Sequence, residues 1–134
     1  MKLIYIYVDN YKILKDKEIS LSSSYNVTRY GNSFIINDTS ISDGFYGYNL
    51  DVISIFGKNG SGKSTIIELI TLILSNQIPL LTEVVCLYEH MGRIYYFTNK
   101  SEHITVEYKY YMCPEIYIDD FLKVRKMLYI FLTM

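Results

Sequence analysis

The spacing of apolar residues changes along this chain, and each spacing predicts a different element. Leu3-Ile4-Tyr5-Ile6-Tyr7-Val8 is continuously apolar, as in a strand buried on both faces. Asp9 and Asn10 mark a turn region. From Glu18 to Leu21 polar and apolar residues alternate, with Ile19 and Leu21 on one side, which predicts a half-buried strand. Ser22-Ser23-Ser24 reads as a loop, and Tyr25 to Val27 and Phe34 to Ile36 read as two further short strands. Asp43-Gly44-Phe45-Tyr46-Gly47 has turn chemistry. Val52-Ile53-Ser54-Ile55-Phe56 is again a buried-strand run. Between Ser64 and Ser75 the period lengthens: Ile66, Ile67, Leu69, Ile70, Ile73 and Leu74 fall at helical spacing, and Asn76 and Pro79 are predicted to stop that helix. Beyond Pro79 come three strand patterns, Thr82 to Tyr88, Arg93 to Thr98 and Ile104 to Tyr111. Met91-Gly92 and Asn99-Lys100-Ser101 supply their turns, so an antiparallel meander is expected. Pro114 breaks the last strand, and Asp119-Asp120 is placed to cap a final helix from Phe121 to about Leu132. No repeat or linker divides the chain, so residues 1–134 are read as one domain.

Between the Val52–Phe56 run and the helical segment lies Gly57-Lys58-Asn59-Gly60-Ser61-Gly62-Lys63-Ser64-Thr65. It fits G-x-x-x-x-G-K-[ST], the phosphate-binding Walker A loop, and strand, glycine loop, helix is the context that motif requires. A chance match in a flexible loop would not bring both flanks. Gly57, Gly60 and Gly62 permit backbone conformations that side chains would block, so successive N–H groups can line an anion nest. The helix beginning near Lys63 adds its positive end. Lys63 is the candidate for the β- and γ-phosphates. Ser64 is the candidate Mg²⁺ ligand, since that ion prefers hard oxygen. Thr65 is a candidate for the α-phosphate. Asn59 and Ser61 are small polar residues suited to lie against phosphate, whereas Lys58 is read as facing solvent.

Composition narrows the class. Half the residues are hydrophobic and 16% aromatic, which excludes a disordered chain, and 134 residues suffice for one small domain with a core. A net charge of −1 gives no electrostatic case for nucleic-acid binding through this segment. Cys86 and Cys113 lie in no C-x-x-C pair and are read as reduced structural thiols. The N-terminal run is interrupted by Asp9 and lacks a signal-peptide pattern. Met127 to Met134 is too short to span a bilayer. A soluble cytoplasmic protein without a membrane partner is expected.

In order of elements the chain resembles the N-terminal part of an ABC-type P-loop ATPase head. The nearest pattern is that of the RecF-like, SMC-like group, often labelled AAA-family or AAA_23-like ATPases. The residues that carry the likeness are Leu3 to Val8, then Asn10-Tyr11-Lys12, then Lys17-Glu18-Ile19-Ser20-Leu21, then the Walker A loop. The resemblance implies an α/β fold with α+β character, a lobe built on a Walker A strand, loop and helix beside an antiparallel meander. It implies ATP and Mg²⁺ as ligands and a second ATPase head or a C-terminal lobe as partner, with nucleic acid contacted through the complex. It also implies a role in DNA repair, chromosome maintenance or anti-phage defence. In that family the basic residue of the opening turn touches nucleotide phosphate. Lys12 occupies the position, although arginine is the usual residue there; an exposed turn lysine is the alternative.

The chain also departs from the family. Thr28 to Leu50 is a long segment that could form an extra hairpin. Tyr25, Tyr30, Phe45, Tyr46 and Tyr48 could stack on adenine from it, though packing accounts for each in a chain with 15 tyrosines. No L-S-G-G-Q-like run occurs, and Gln77 follows the Walker A helix too closely for a glutamine loop. Ile116-Tyr117-Ile118-Asp119-Asp120 has only a faint likeness to Walker B, against the helix-cap reading. His90 and His103 read as surface residues. No catalytic residue is identified. The expectation is the N-terminal lobe of a longer ATPase, binding ATP better than it cleaves it. The alternative is a non-catalytic truncated or interaction subunit whose P-loop is structural and whose apolar end, Tyr129 to Met134, docks on a partner. A kinase-like phosphotransferase fits less well, since the meander replaces the βαβ repeat. The absence of N-K-x-D favours adenine over guanine.

Overall fold

The computed structural model describes residues 2–39, 63–79 and 81–116. Two strands open the chain, β1 (Lys2–Tyr11) and β2 (Leu14–Ser20). The hairpin β3 (Tyr25–Tyr30) and β4 (Ser33–Asp38) follows. The helix α1 spans Lys63–Leu74. Then come β5 (Val84–His90), β6 (Arg93–Thr98), β7 (Thr105–Tyr108) and the short β8 (Tyr111–Met112). Among the described residues these strands form two four-stranded sheets. The first has the order β2-β1-β5-β6, antiparallel throughout, and the second the order β3-β4-β7-β8.

The continuous apolar run of β1 has its reason in this arrangement, because both faces of the first sheet are covered. Leu3, Ile6 and Val8 join Val84, Cys86 and Tyr88 against Ile66, Leu69, Ile70, Ile73 and Leu74 of α1. Ile4, Tyr5 and Tyr7 join Val85 and Leu87 against Phe34, Ile36, Ile104 and Val106 of the second sheet. A register shift against β5 between Leu3 and Tyr5 explains how Leu3 and Ile6, of opposite parity, reach the same core. One extra residue in a strand turns every later side chain to the other face. The layers are therefore helix, first sheet, second sheet.

α1 ends as its sequence predicts. Asn76 takes a left-handed φ of 57°. The N–H of Gln77 donates to the Leu72 carbonyl at 2.9 Å and that of Asn76 to Ile73 at 3.3 Å, the paired bonds of a Schellman cap. Gln77 thus closes the helix.

The expected three-strand meander is corrected. β5 and β6 do form a hairpin through Met91 and Gly92, at φ 52° and 79°. β7, however, leaves that sheet and pairs parallel with β4, Phe34 opposite Val106. The outer edge of β6 is met instead by the segment around Pro114, where the Tyr96 N–H donates to Pro114 at 3.2 Å and the Ile116 N–H to Tyr96 at 2.9 Å. Alternation along Ile104 to Tyr111 specifies a buried face but not a neighbour. Ile104 and Val106 are buried in the core that Phe34 and Ile36 build, and that core is on the second sheet. A hairpin, β3–β4, does form over Tyr25–Asp38, overlapping the front of the Thr28–Leu50 segment, but it lies on the face of the first sheet away from α1 rather than beside the helix that follows the glycine motif. The predicted Val52–Phe56 strand and the helix from Phe121 lie outside the described residues.

Candidate functional site

α1 starts where the glycine-rich motif ends, with Lys63 as its first residue. Ser64 is exposed on its first turn and Thr65 is half-buried. That turn carries no acidic side chain, so the positive end of the helix is uncompensated by its own residues. The remaining motif residues, Gly57, Asn59, Gly60, Ser61 and Gly62, lie outside the described residues. What seats the helix is its apolar stripe: Ile66, Leu69, Ile70, Ile73 and Leu74 pack on the first sheet. Ser64, Ile67, Glu68 and Thr71 are left exposed.

Glu68 is the one acid between Lys63 and Leu74. It follows Ser64 by four residues, so the two share a helix face one turn apart. On that face it meets Lys12, from the turn between β1 and β2. The Lys12 Nζ donates to both carboxylate oxygens of Glu68, at 2.8 and 2.7 Å. The same ammonium sits 5.6 Å from the Tyr11 ring centroid, within cation–π range. The bond from Lys12 holds the Glu68 carboxyl below its ordinary value, and the bond to Glu68 raises Lys12. Burial, and after it the bond to Glu68, raises the Tyr11 phenol. Lys12, Tyr11 and Glu68 therefore form one small charged knot joining the opening turn to α1.

The turn is fastened from below. Glu83 N–H donates to Asp9 Oδ1 at 2.7 Å, and Asp9 N–H to the Glu83 carbonyl at 3.1 Å. Thr82 Oγ1 donates to the Asn10 carbonyl at 3.0 Å. Asn99 then ties the next strand in: its Nδ2 donates to the Thr82 carbonyl at 2.8 Å and its Oδ1 accepts from Val84 N–H at 2.7 Å. Lys15 donates to Asn10 Oδ1. The end of the first sheet nearest the turn is thus a crosslinked polar rim. Lys12 itself has a φ of 53°, the left-handed region that glycine favours and lysine does not.

Of the residues singled out by sequence, the structure brings Lys12 to the helix that carries Lys63, Ser64 and Thr65. It does so through Glu68, which sequence reasoning passed over. The available signal was its isolation, a single carboxylate one turn after Ser64 in a helix whose one other charged residue is Lys63. The Asp9, Thr82 and Asn99 rim had no such signal, since its members are far apart in the chain. Tyr25 is committed elsewhere. Its ring packs edge-on to Tyr108 at 5.8 Å and its hydroxyl donates to Glu89, on the side of the first sheet away from α1. Tyr30 is exposed; Phe45, Tyr46 and Tyr48 lie outside the described residues, as do Asp119 and Asp120. His90 is half-buried and His103 exposed. Cys86 and Cys113 are buried free thiols. Among the described residues no group of three or more His, Cys, Asp or Glu could hold a metal ion, and no helix is long and apolar enough to cross a membrane.

No curated protein and no solved structure matches the chain. A family model does: that of the AAA ATPase domain matches residues 1–127, nearly the whole length, and the chain belongs to that family.

Proposed function

We propose that the chain binds ATP with Mg²⁺ through Gly57 to Thr65, as the nucleotide-holding lobe of an ABC-type, RecF/SMC-like ATPase head. The observation that carries this reading is the start of α1 at Lys63, the lysine of the G-x-x-x-x-G-K-[ST] match, with an acid-free first turn. A helix start at that residue offers free N–H groups and a positive dipole end to an anion. Family membership supports the same chemistry. The loop glycines and the N–H groups of Asn59 and Ser61 would cradle phosphate, and Lys63 would supply the mobile charge. The exposed Ser64 hydroxyl is a hard oxygen of the kind Mg²⁺ takes, so the residue present fits the ion. When bound, Mg²⁺ would neutralise phosphate charge. The roles assigned to this chain are binding roles. The carboxylate that would activate water is expected from a C-terminal lobe or a second head, and any work on DNA belongs to that assembly.

The test is calorimetric titration of the protein with ATP and Mg²⁺, with Lys63→Ala alongside. The expected result is binding that weakens by at least about tenfold in the variant, as for loss of a charge-assisted phosphate contact. A folded wild-type chain that binds no nucleotide, or binding indifferent to Lys63→Ala, overturns the reading. One observation favours a second reading as an interaction subunit: Tyr110 is 99% exposed beside Tyr111 and Met112, both also exposed, at the tip and edge of the second sheet. Absence of nucleotide binding would move that reading ahead.

A further inference from the structure

Lys12 holds an unfavourable left-handed backbone at the tip of a turn whose flank, Asp9 and Asn10, is crosslinked to Thr82 and Glu83 just ahead of β5. Its ammonium is delivered to the exposed face of α1, one helical turn from Ser64. There it meets a carboxylate with both oxygens in reach, 2.7 and 2.8 Å away. Both side chains stay about half exposed, 55% and 44%, so water and an incoming anion can reach them. An exposed pair of this kind is weak and exchangeable. A carboxylate with two oxygens on one ammonium offers the same acceptor chemistry as two phosphate oxygens.

We infer that Glu68 is a positioning residue that occupies Lys12 in the nucleotide-free protein and competes with the triphosphate for it. This rests on the reading of the Walker A loop given above and deepens it. Glu68 holds the lysine side chain in place beside the first turn of α1, and nucleotide binding must break that bond to recruit the charge. The affinity of the site is therefore set below what its own cations would give. The carboxylate also keeps the Lys12 charge neutralised while the site is empty.

The experiment is a double-mutant cycle on Mg²⁺-ATP binding, read by calorimetry at low salt, with wild type, Glu68→Gln, Lys12→Ala and the double variant. Glu68→Gln keeps the shape and removes the charge at an exposed position, and a thermal melt confirms that each variant is folded. Expected is tightening by Glu68→Gln on the order of threefold, the scale of an exposed ion pair. That gain should shrink to near nothing in the Lys12→Ala background. It should also fall in molar salt, where the Debye length drops to about 3 Å, and be reversed by Glu68→Asp, which restores the carboxylate. Unchanged or weakened binding in Glu68→Gln, with wild-type binding intact, overturns the inference and leaves the proposed function standing. Tightening of the same size with and without Lys12 also overturns it, because simple repulsion between Glu68 and phosphate would then account for the effect. No nucleotide binding by the wild type removes both.

Discussion

The two faces of the first sheet are built from different materials. Toward α1 the core is mainly aliphatic, with Leu3, Ile6, Val8, Leu69, Ile70 and Ile73 in contact and charge confined to the Lys12–Glu68 rim. Toward the second sheet Ile4, Ile36, Val85, Leu87 and Val106 are joined by a denser set of rings, Tyr5, Tyr7, Phe34 and Tyr96. Phe34 stands edge-on to Tyr5 at 5.8 Å and tilted to Tyr7 at 6.2 Å. The Tyr5 hydroxyl donates to Glu18 at 2.9 Å and that of Tyr7 to Asp16, while Arg29 lies over the Tyr7 ring at 4.4 Å and pairs with Asp16 at 3.1 Å. Two sheets stand about 10 Å apart, and a tyrosine can cross that gap with its ring buried and its hydroxyl at the wet edge. A helix on a sheet is filled by branched aliphatics instead. Of the described tyrosines that could have been taken for adenine platforms, Tyr25 packs against this second core and Tyr30 is exposed. The Lys12–Glu68 ion pair is on the other face, beside the first half of α1.

Hollowing each core separately should show whether the two faces act independently. Phe34→Ala should cost about 3–5 kcal/mol and Leu69→Ala about 2–4 kcal/mol of unfolding free energy, measured by urea denaturation. The two should differ in what else they do. Leu69→Ala loosens the seat of α1 and should weaken Mg²⁺-ATP binding beyond any loss of folded protein. Phe34→Ala, in the fraction that stays folded, should leave binding within about twofold, as expected for distant, independent sites. Equal effects on nucleotide from both would mean that the faces act as one unit.

Much of the first core was legible in the sequence, and less of the second. The helix declared itself through the spacing of Ile66, Leu69, Ile70 and Ile73, and its end through Asn76, because those signals are local. β1 declared its double burial by having no polar position from Leu3 to Val8. β2 was foreseen only from Glu18 onward, since Leu14 to Lys17 lies mostly at the surface and carries its charges outward. β7 was foreseen as a strand but given the wrong neighbour. Alternation records which face is buried, while pairing depends on which edge is free, and the edge of β6 is met by the Pro114 segment. At the site, the glycine motif was read from residue type and order but lies almost wholly outside the described residues, while Lys12, read from its place in the opening turn, is set against α1. Glu68 was not read, because its partner is 56 positions away. Nothing local marks an exposed glutamate as spoken for.

A smaller effect, and a finer comparison, comes from alkali. Burial pushes the Cys86 thiol, on the helix side, up to about 12 and the Cys113 thiol, on the second-sheet side, up to about 11. Both folded values lie above those of the unfolded chain. Their contribution to stability is therefore whole below about pH 9, where an unfolded thiol is still protonated, and is lost as pH rises toward 11 to 12. Circular dichroism during urea melts at pH 8 to 11 should show stability falling across that window. Cys86→Val should remove on the order of 2 kcal/mol of the fall at pH 11, and Cys113→Val less. A flat profile in the wild type would mean that the helix-side core admits water.

The mildest test lies in the hydroxyls of the aromatic core. Tyr5→Phe removes the donor to Glu18 and should cost about 1.5 kcal/mol, the low end for a hydrogen bond to a charged acceptor. Tyr7→Phe should cost less, roughly 0.5 kcal/mol, because Asp16 keeps its Arg29 partner and the ring stays under the guanidinium. Its effect on pH dependence should nevertheless be visible. Burial, and then the bond to Asp16, lifts the Tyr7 phenol to about 12, so it too adds stability that is whole below about pH 10 and lost between 10 and 12. Tyr7→Phe should flatten that upper part of the alkaline limb without moving the part below pH 10. Thiols and phenol can then be separated by where each variant bends the same curve. If Tyr7→Phe proves costlier than Tyr5→Phe, the short bond to Asp16 rather than the ring is what closes the second core, and the distinction drawn between an aliphatic and an aromatic face would have to be restated as one between a dry face and a hydrogen-bonded one.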